Sequence, residues 1–277
     1  SRSEFIDRIV PLRWTPTHGW RMLTGEGGLG SVILCPLPVN ADRDCMLRAT
    51  TVYCVSLGGD IVCAELSRQR FATGADHGAL LVWDSDLSPA PREVASTSSA
   101  CLATLRGHTG NVNALVARDD EHALVSGSED KTYRVWDTRT YAAIAIVTTP
   151  SEIRTLERLN DGTLATGHRD GMVRLWDAMH SPGGVLEGHT LAVTQVTALP
   201  DGRLASVSVD KSVRVWDVAE RRTVCSLTTS VRMWRLCVTA DGGLAFGDNA
   251  AVLRLMHFAW GRRRTVVLAW VEERQEE

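Results

Sequence analysis

Three side chains recur along this chain in a combination that could perform acyl transfer. His189, Ser206 and Asp210 supply a base, a hydroxyl nucleophile and a carboxylate to orient the base, the ingredients of a hydrolytic triad. The same three types stand at His108, Ser126 and Asp130. A hydrolytic centre is built once, at one pocket, so a set that returns in register points to a structural role. Two other stretches imitate chemistry. The segment HRDG at 168–171 resembles the catalytic loop of a kinase, but the downstream asparagine spacing and a glycine-rich loop are missing. The segment GEGGLG at 25–30 could cradle a phosphate, but no helix is expected after it, and a β-turn fits better. The eight histidines and seven cysteines show no metal-ligand spacing, so no metal or other cofactor is expected.

The residues that could do chemistry are tied to a phrase. It reads DKTYRVWD at 130–137, DGMVRLWD at 170–177 and DKSVRVWD at 210–217, with Trp136, Trp176 and Trp216 spaced by forty. Forty residues further on, Met256-His257 occupies the Trp-Asp slot. Upstream, Trp83-Asp84 carries the mark intact and Leu34-Cys35 carries it worn. A period near forty with these marks is the signature of a four-stranded propeller blade. Within each copy apolar and polar residues alternate, as in Ser212, Val213, Arg214 and Val215, which is strand patterning. One copy divides into an inner strand at 191–199, a second at 203–209, a third at 212–218 and an outer strand at 222–230, with turns at Pro200-Asp201-Gly202 and Asp210-Lys211. Six copies are recognised. Two insertions, at 36–47 and 85–99, fall between third and outer strands and are expected on the same rim. FIDRIVPL near the start reads as an inner strand and TVVLAWVE at 265–272 as an outer one.

The charge balance is near neutral, at −3, and almost all the positive charge is arginine. No global basic field draws nucleic acid or an anionic membrane, and no apolar run has the length of a membrane span. The cysteines are odd in number and never spaced C-x-x-C, as expected of reduced thiols in a cytoplasmic protein, with the nucleus as the second location. The first residue is Ser rather than Met, as expected of a fragment.

On Gly107-His108, Gly188-His189 and the four Trp-Asp pairs at 83–84, 136–137, 176–177 and 216–217, the chain resembles the WD40-repeat family of β-propellers. The resemblance is strong over 71–217 and weaker at both ends. It implies an all-β propeller of six recognisable four-stranded blades in a six- or seven-bladed ring, one domain over 1–277. It also implies an internal hydrogen-bonded tetrad in two copies: His108, Ser126, Asp130 and Trp136, then His189, Ser206, Asp210 and Trp216. The copy ending at Trp176 has Thr149 where the histidine would sit, and the copy ending at Trp83 has His77 in the aspartate slot, so no full tetrad is expected there. The run VSGSEDKTYRVWDTR, ending at Arg139, resembles the box by which some family members dock onto the adaptor of cullin-RING ubiquitin ligases, with Arg139 making the contact.

With no catalytic site in view, function is expected from the surface of a non-enzymatic scaffold or adaptor that binds proteins within a multiprotein complex. Alternation at the mouths of the inner strands points Asn111, Asn113, Glu152, Arg154, Thr194, Arg232 and Trp234 toward one face. Glu129 and Arg169 join them just before the turn aspartates. Arginine and tryptophan are over-represented among residues that dominate binding. Arg154, Arg169 and Arg232 together suit an acidic or phosphorylated peptide. Two rival readings are a substrate receptor of a cullin-RING ligase and an RNA- or ribosome-associated subunit. The net charge disfavours nucleic acid.

Overall fold

The computed structural model describes residues 6–15, 19–26, 31–37, 54–56, 62–67, 70–74, 76–84, 101–118, 122–230, 232–238, 243–248, 253–260 and 265–273. Six four-stranded antiparallel sheets account for nearly all of them, with no α-helix among the described residues. The first sheet holds Ile6–Thr15, Gly19–Glu26, Ser31–Leu37 and Cys54–Ser56. The second holds Val62–Ser67, Arg70–Gly74, Leu80–Asp84 and Cys101–Leu105. The third holds Val112–Arg118, Ala123–Ser128, Thr132–Asp137 and Ala143–Thr148. The fourth holds Ile153–Arg158, Leu164–His168, Val173–Trp176 and Pro182–Leu186. The fifth holds Val193–Ala198, Leu204–Ser208, Ser212–Asp217 and Arg222–Thr228. The sixth holds Met233–Val238, Leu244–Asp248, Leu253–Trp260 and Thr265–Glu273. The sheets fall into two compact units, Ser1–Thr148 with the first three and Thr149–Glu277 with the last three.

These are propeller blades of the expected kind, and the register explains the repeat. Trp136 lies opposite Leu124, Trp176 opposite Leu164 and Trp216 opposite Leu204, and Met256 keeps the place opposite Leu244. The tryptophan has been lost from the last copy without loss of pairing. The first copy differs from expectation in one boundary. Its third strand runs to Leu37, with Pro36 opposite Arg21, two residues into the segment read as an insertion. The fourth strand of that sheet pairs only Ser31 to Ile33, so Pro36 lies beyond the last ladder partner on that side, where a missing N–H is tolerated. Residues 38–47 and 85–99 lie outside the described residues, as does most of the GEGGLG segment.

Burial follows the order of strands. In the third, fourth and fifth sheets every residue of the second strand is buried, whereas the outer strand Ala143–Thr148 is mostly exposed. Where one sheet packs on the next, small residues are needed in its middle. A methyl group on Gly167 would meet Val193 Cγ1 at 2.8 Å, and one on Gly74 would meet Val112 Cγ1 at 2.8 Å. Each valine opens the inner strand of the next sheet in the same unit. Side chains also join inner strands that share no ladder. The Gln195 amide donates to the Leu236 carbonyl at 2.7 Å and accepts the Leu236 N–H at 2.8 Å.

Candidate functional site

The two histidine–serine–aspartate sets are assembled, but inside the blades. In the third sheet the Trp136 indole N–H donates to Ser126 Oγ at 2.9 Å. Ser126 donates to His108 Nε2 at 2.7 Å, and His108 Nδ1–H donates to Asp130 Oδ2 at 2.8 Å. Asp130 closes the chain of bonds by accepting the backbone N–H groups of Thr109 and Thr132, at 3.0 and 2.9 Å. The fifth sheet repeats the scheme with Trp216 to Ser206 at 2.7 Å, Ser206 to His189 at 2.7 Å and His189 to Asp210 at 3.0 Å. The Ser126 and Ser206 side chains have no exposed surface, and each oxygen already accepts an indole N–H. No substrate can reach either hydroxyl, so these are connected buried networks that stiffen a blade.

The charges are set accordingly. Burial lowers His108 and His189 below the ordinary imidazole value and outweighs the pull of Asp130 and Asp210, so both rings are neutral. Burial pushes Asp210 up, but the Ser212 hydroxyl, the Thr190 N–H and His189 outweigh it and hold the carboxyl at about 2.

Arginines complete these two blades. Arg134 and Arg214 lie over the rings of Trp136 and Trp216, at 6.0 and 5.7 Å from the ring centres, in cation–π range. The Arg134 guanidinium fills the space beside Gly107. A methyl on Gly188 would meet Arg214 Nη1 at 2.7 Å. The glycine of each Gly-His pair is therefore the seat of the arginine.

The fourth sheet solves the same problem with different residues. The Trp176 indole donates to Thr166 Oγ1 at 2.9 Å. The histidine absent at Thr149 is replaced by His168, which belongs to the second strand itself and is fully buried. Its Nδ1–H donates to the Ser151 carbonyl at 3.0 Å and its Nε2 accepts the Thr166 hydroxyl at 2.7 Å. Ser128 and Ser208, at the same place in the neighbouring repeats, donate to the Gly110 and Leu191 carbonyls at 3.0 and 2.9 Å. His168 thus does the work of that serine and of the missing histidine. Burial drives its pKa down to about 4, against the Ser151 carbonyl and with help from Arg174. Asp170, left without a histidine, takes Arg174 in two bonds of 3.2 and 2.7 Å. Sequence reasoning placed HRDG in a turn and missed this role; the signal was Ser128, His168 and Ser208 at one repeat position. In the second sheet Trp83 donates to Thr73 at 2.9 Å. His77 is exposed at φ 69° with its N–H on Asn111 Oδ1 at 3.3 Å, so no aspartate–histidine pair forms through it.

The face residues are held to different degrees. Asn111 uses its side-chain oxygen on His77 and its carbonyl on the Glu129 N–H; Asn113 and Glu129 are half-buried. Glu152 holds Arg154 at 3.1 Å and Arg169 at 2.8 Å, with the Arg169 side chain 63% exposed. Thr194 turns its hydroxyl inward to the Val207 and Met233 carbonyls, both at 3.3 Å. Arg232 is exposed just before its inner strand. The Trp234 side chain lies outside the described residues. Arg139 is exposed in the turn at the other end of strand Thr132–Asp137 from Glu129, its N–H on Asp137 Oδ1 at 2.7 Å.

Among the described residues no group of histidine, cysteine, aspartate and glutamate could hold a metal ion, no helix is long and apolar enough to cross a membrane, and Cys63, Cys101, Cys225 and Cys237 are free thiols.

Comparison with known proteins agrees with this anatomy. The family model described as "WD domain, G-beta repeat" matches residues 99–137, 147–177 and 180–217, which cover the tetrads and the substituted network. The ribosome biogenesis protein WDR12 homolog of Drosophila mojavensis is 33% identical over 102 residues, 33% of this chain and 24% of the relative. Periodic tryptophan protein 2 of Arabidopsis thaliana is 35% identical over 94 residues, 33% of this chain and 9% of the relative. The ribosome biogenesis protein YTM1 of Podospora anserina is 54% identical over 50 residues, 18% of this chain and 10% of the relative. The chain therefore spans about a quarter or less of the length of these curated relatives. Blades, register, buried tetrads and matched segments together show that this chain carries WD40 repeats at three positions.

Proposed function

We propose that the chain is a non-enzymatic scaffold that holds protein partners within a ribosome-assembly complex. The observation that carries the scaffold role is where its reactive side chains lie. Both histidine–serine–aspartate sets are spent inside the sheets, while Arg139 and Arg169 stand at exposed turns and Arg232 is exposed just before its strand. The relatives named for ribosome biogenesis supply the process, and with it a nuclear location in place of the cytoplasmic one expected from composition. The test is sedimentation of a tagged full chain from nuclear extract. Co-migration with precursor ribosomal particles supports the reading, and migration with free protein alone refutes it.

The partner is a polypeptide that reaches the face carrying Glu152, Arg154, Arg169 and Arg232. Glu152 keeps two guanidinium groups aligned and part-neutralised, so an acidic or phosphorylated segment engages Arg169 and Arg232 from the solvent side. Binding of a phosphopeptide panel, unchanged by Arg154→Ala with Arg232→Ala, removes this part of the proposal. Contact is with protein rather than with bare RNA, so RNA affinity should be weak, and a steep fall with rising salt would reverse that assignment. A second reading rests on the exposure of Arg139: docking to a cullin-ligase adaptor, checked by pull-down with the adaptor and its loss in Arg139→Ala.

A further inference from the structure

The outer strand Ala143–Thr148 differs from the other described outer strands. It closes the third sheet, with Thr132–Asp137 as its hydrogen-bonded strand neighbour, and reads Ala-Ile-Ala-Ile-Val-Thr, without charge, proline or glycine. Ile144 is 61% exposed and Ile146 55%. Edges of this kind are ordinarily blunted by charge or proline, because their free N–H and C=O groups template another strand; here the ladder shifts register beside Ile144, and Ala145 to Thr148 pair regularly. The outer strand of the fourth sheet opens with Pro182-Gly183-Gly184, and that of the fifth opens with Arg222. The outer strand of the second sheet, Cys101–Leu105, is uncharged but shorter, with Leu102 its one large exposed apolar side chain.

The surroundings of this edge are basic. Ile146 lies opposite Arg134, so the two share one face of the sheet. Arg134 Nε is buried without a hydrogen-bond partner. Arg139 is exposed in the turn that leads into the strand, and Arg106 is exposed beside Gly107, against which the Arg134 guanidinium rests. Two carboxylates of the same sheet stay ionised but are turned to backbone N–H groups, and the three arginines outnumber them. Asp137 accepts the Arg139 and Thr140 N–H groups, and Asp130 accepts those of Thr109 and Thr132 besides His108. An apolar β-edge in a positive field suits an extended segment that alternates apolar with acidic side chains. A second copy of the same strand would bring Arg139 and Arg134 of both chains toward each other.

We propose that Ala143–Thr148 is a docking edge at which an extended, acidic–apolar segment of a protein partner adds as a fifth antiparallel strand. This site is independent of the Arg154 and Arg232 face and stands or falls without it. The test uses the whole chain and three fluorescent peptides: one alternating glutamate and valine, one alternating lysine and valine, and the glutamate peptide with N-methylated backbone amides. The glutamate peptide should bind, the lysine peptide at least about tenfold more weakly, and the N-methylated one not at all. Ile144→Glu with Ile146→Glu should abolish binding while near-ultraviolet circular dichroism stays native. The milder Ile146→Thr should weaken it with the β-edge intact. Equal binding of the glutamate and lysine peptides, or binding unmoved by both variants, overturns the proposal. So does a concentration-dependent dimer of the unmodified chain that Ile144→Glu with Ile146→Glu dissolves, since the edge would then belong to a second copy.

Discussion

His168 offers a measurement in which geometry and protonation must agree. In the native chain the ring is fully buried and neutral, with a pKa of about 4 against 6.5 for a free imidazole. Between those values the unfolded chain binds a proton that the folded chain refuses, so stability falls as pH drops from 6.5 toward 4 and no further below it. The gap of 2.5 units (6.5 less 4), at about 1.4 kcal/mol per unit, makes this loss about 3 kcal/mol. His168→Ser installs the residue found at Ser128 and Ser208. The new hydroxyl can still donate to the Ser151 carbonyl, as those serines do to theirs, and Thr166 can turn its hydroxyl to the Arg174 carbonyl, now 3.2 Å away. The cost at pH 7 is then mainly the space the ring leaves, about 2–4 kcal/mol. The variant lacks the acid-sensitive group, so its deficit should shrink by about 3 kcal/mol between pH 7 and pH 4. Urea unfolding followed by tryptophan fluorescence at steps of pH reads both quantities. Adding Thr149→His, to restore the arrangement of the third and fifth sheets, should recover part of the loss only when His168 is already Ser. A deficit constant from pH 7 to pH 4 would refute the neutral buried ring. A rescue by Thr149→His equal with and without His168→Ser would refute the substitution of one histidine for the other.

Four further outcomes can be measured in the same way. Gly188→Ala should cost about 1–3 kcal/mol because the methyl displaces the Arg214 guanidinium from Trp216. Gly202→Ala has open space around it and should cost only about 1 kcal/mol, from its φ of 85°. Ser206→Ala should cost about 1–3 kcal/mol by leaving the Trp216 indole N–H without an acceptor, and any esterase activity in the preparation should be unchanged. Asp210→Asn should remove a contribution of about 2 kcal/mol that is complete above the ordinary carboxyl value of 3.8 and fades as pH falls toward 2, so the two proteins should converge in acid urea titrations.

The period of forty carried most of the fold. Trp-Asp spacing located the third strands, and alternation placed the inner strands near Val112, Ile153, Val193 and Met233, where the sheets begin them. Both tetrads were legible through the family resemblance, which assigns each member a distinct polar type at a fixed offset. The fourth sheet was not, because its repair crosses repeat positions. His168 fills a serine slot, and Arg174 pairs with Asp170, which Thr149 leaves without an imidazole. A residue-by-residue template registers only the missing histidine. The alternation that grouped the face residues did not reveal how each is held. Alternation brought Glu152 and Arg154 to one mouth, yet the Glu152–Arg169 bond spans two turns, and Thr194 turned inward because backbone carbonyls lay within reach.

The buried networks and the exposed face are mechanically one system. The turn aspartate is the hinge between them: Asp130 binds the loop at Thr109 and its own turn at Thr132, and Asp210 does the same at Thr190 and Ser212. Those bonds fix the turn from which Glu129 projects and the loop that leads to Asn111. In the fourth sheet Asp170 bonds the Met172 N–H and Arg174, which steadies the turn carrying Arg169 against Glu152. A scaffold must present side chains at constant spacing without reserving them for chemistry. Placing the polar network inside the blade, with its aspartate at the surface turn, transfers the rigidity of the core to the exposed side chains of that turn. It follows that Asp170→Ala should weaken phosphopeptide binding at the Arg169 face even though Asp170 itself repels an anion. Electrostatics alone predicts the opposite sign, so a gain of affinity in that variant would show that the turn holds its shape without the aspartate.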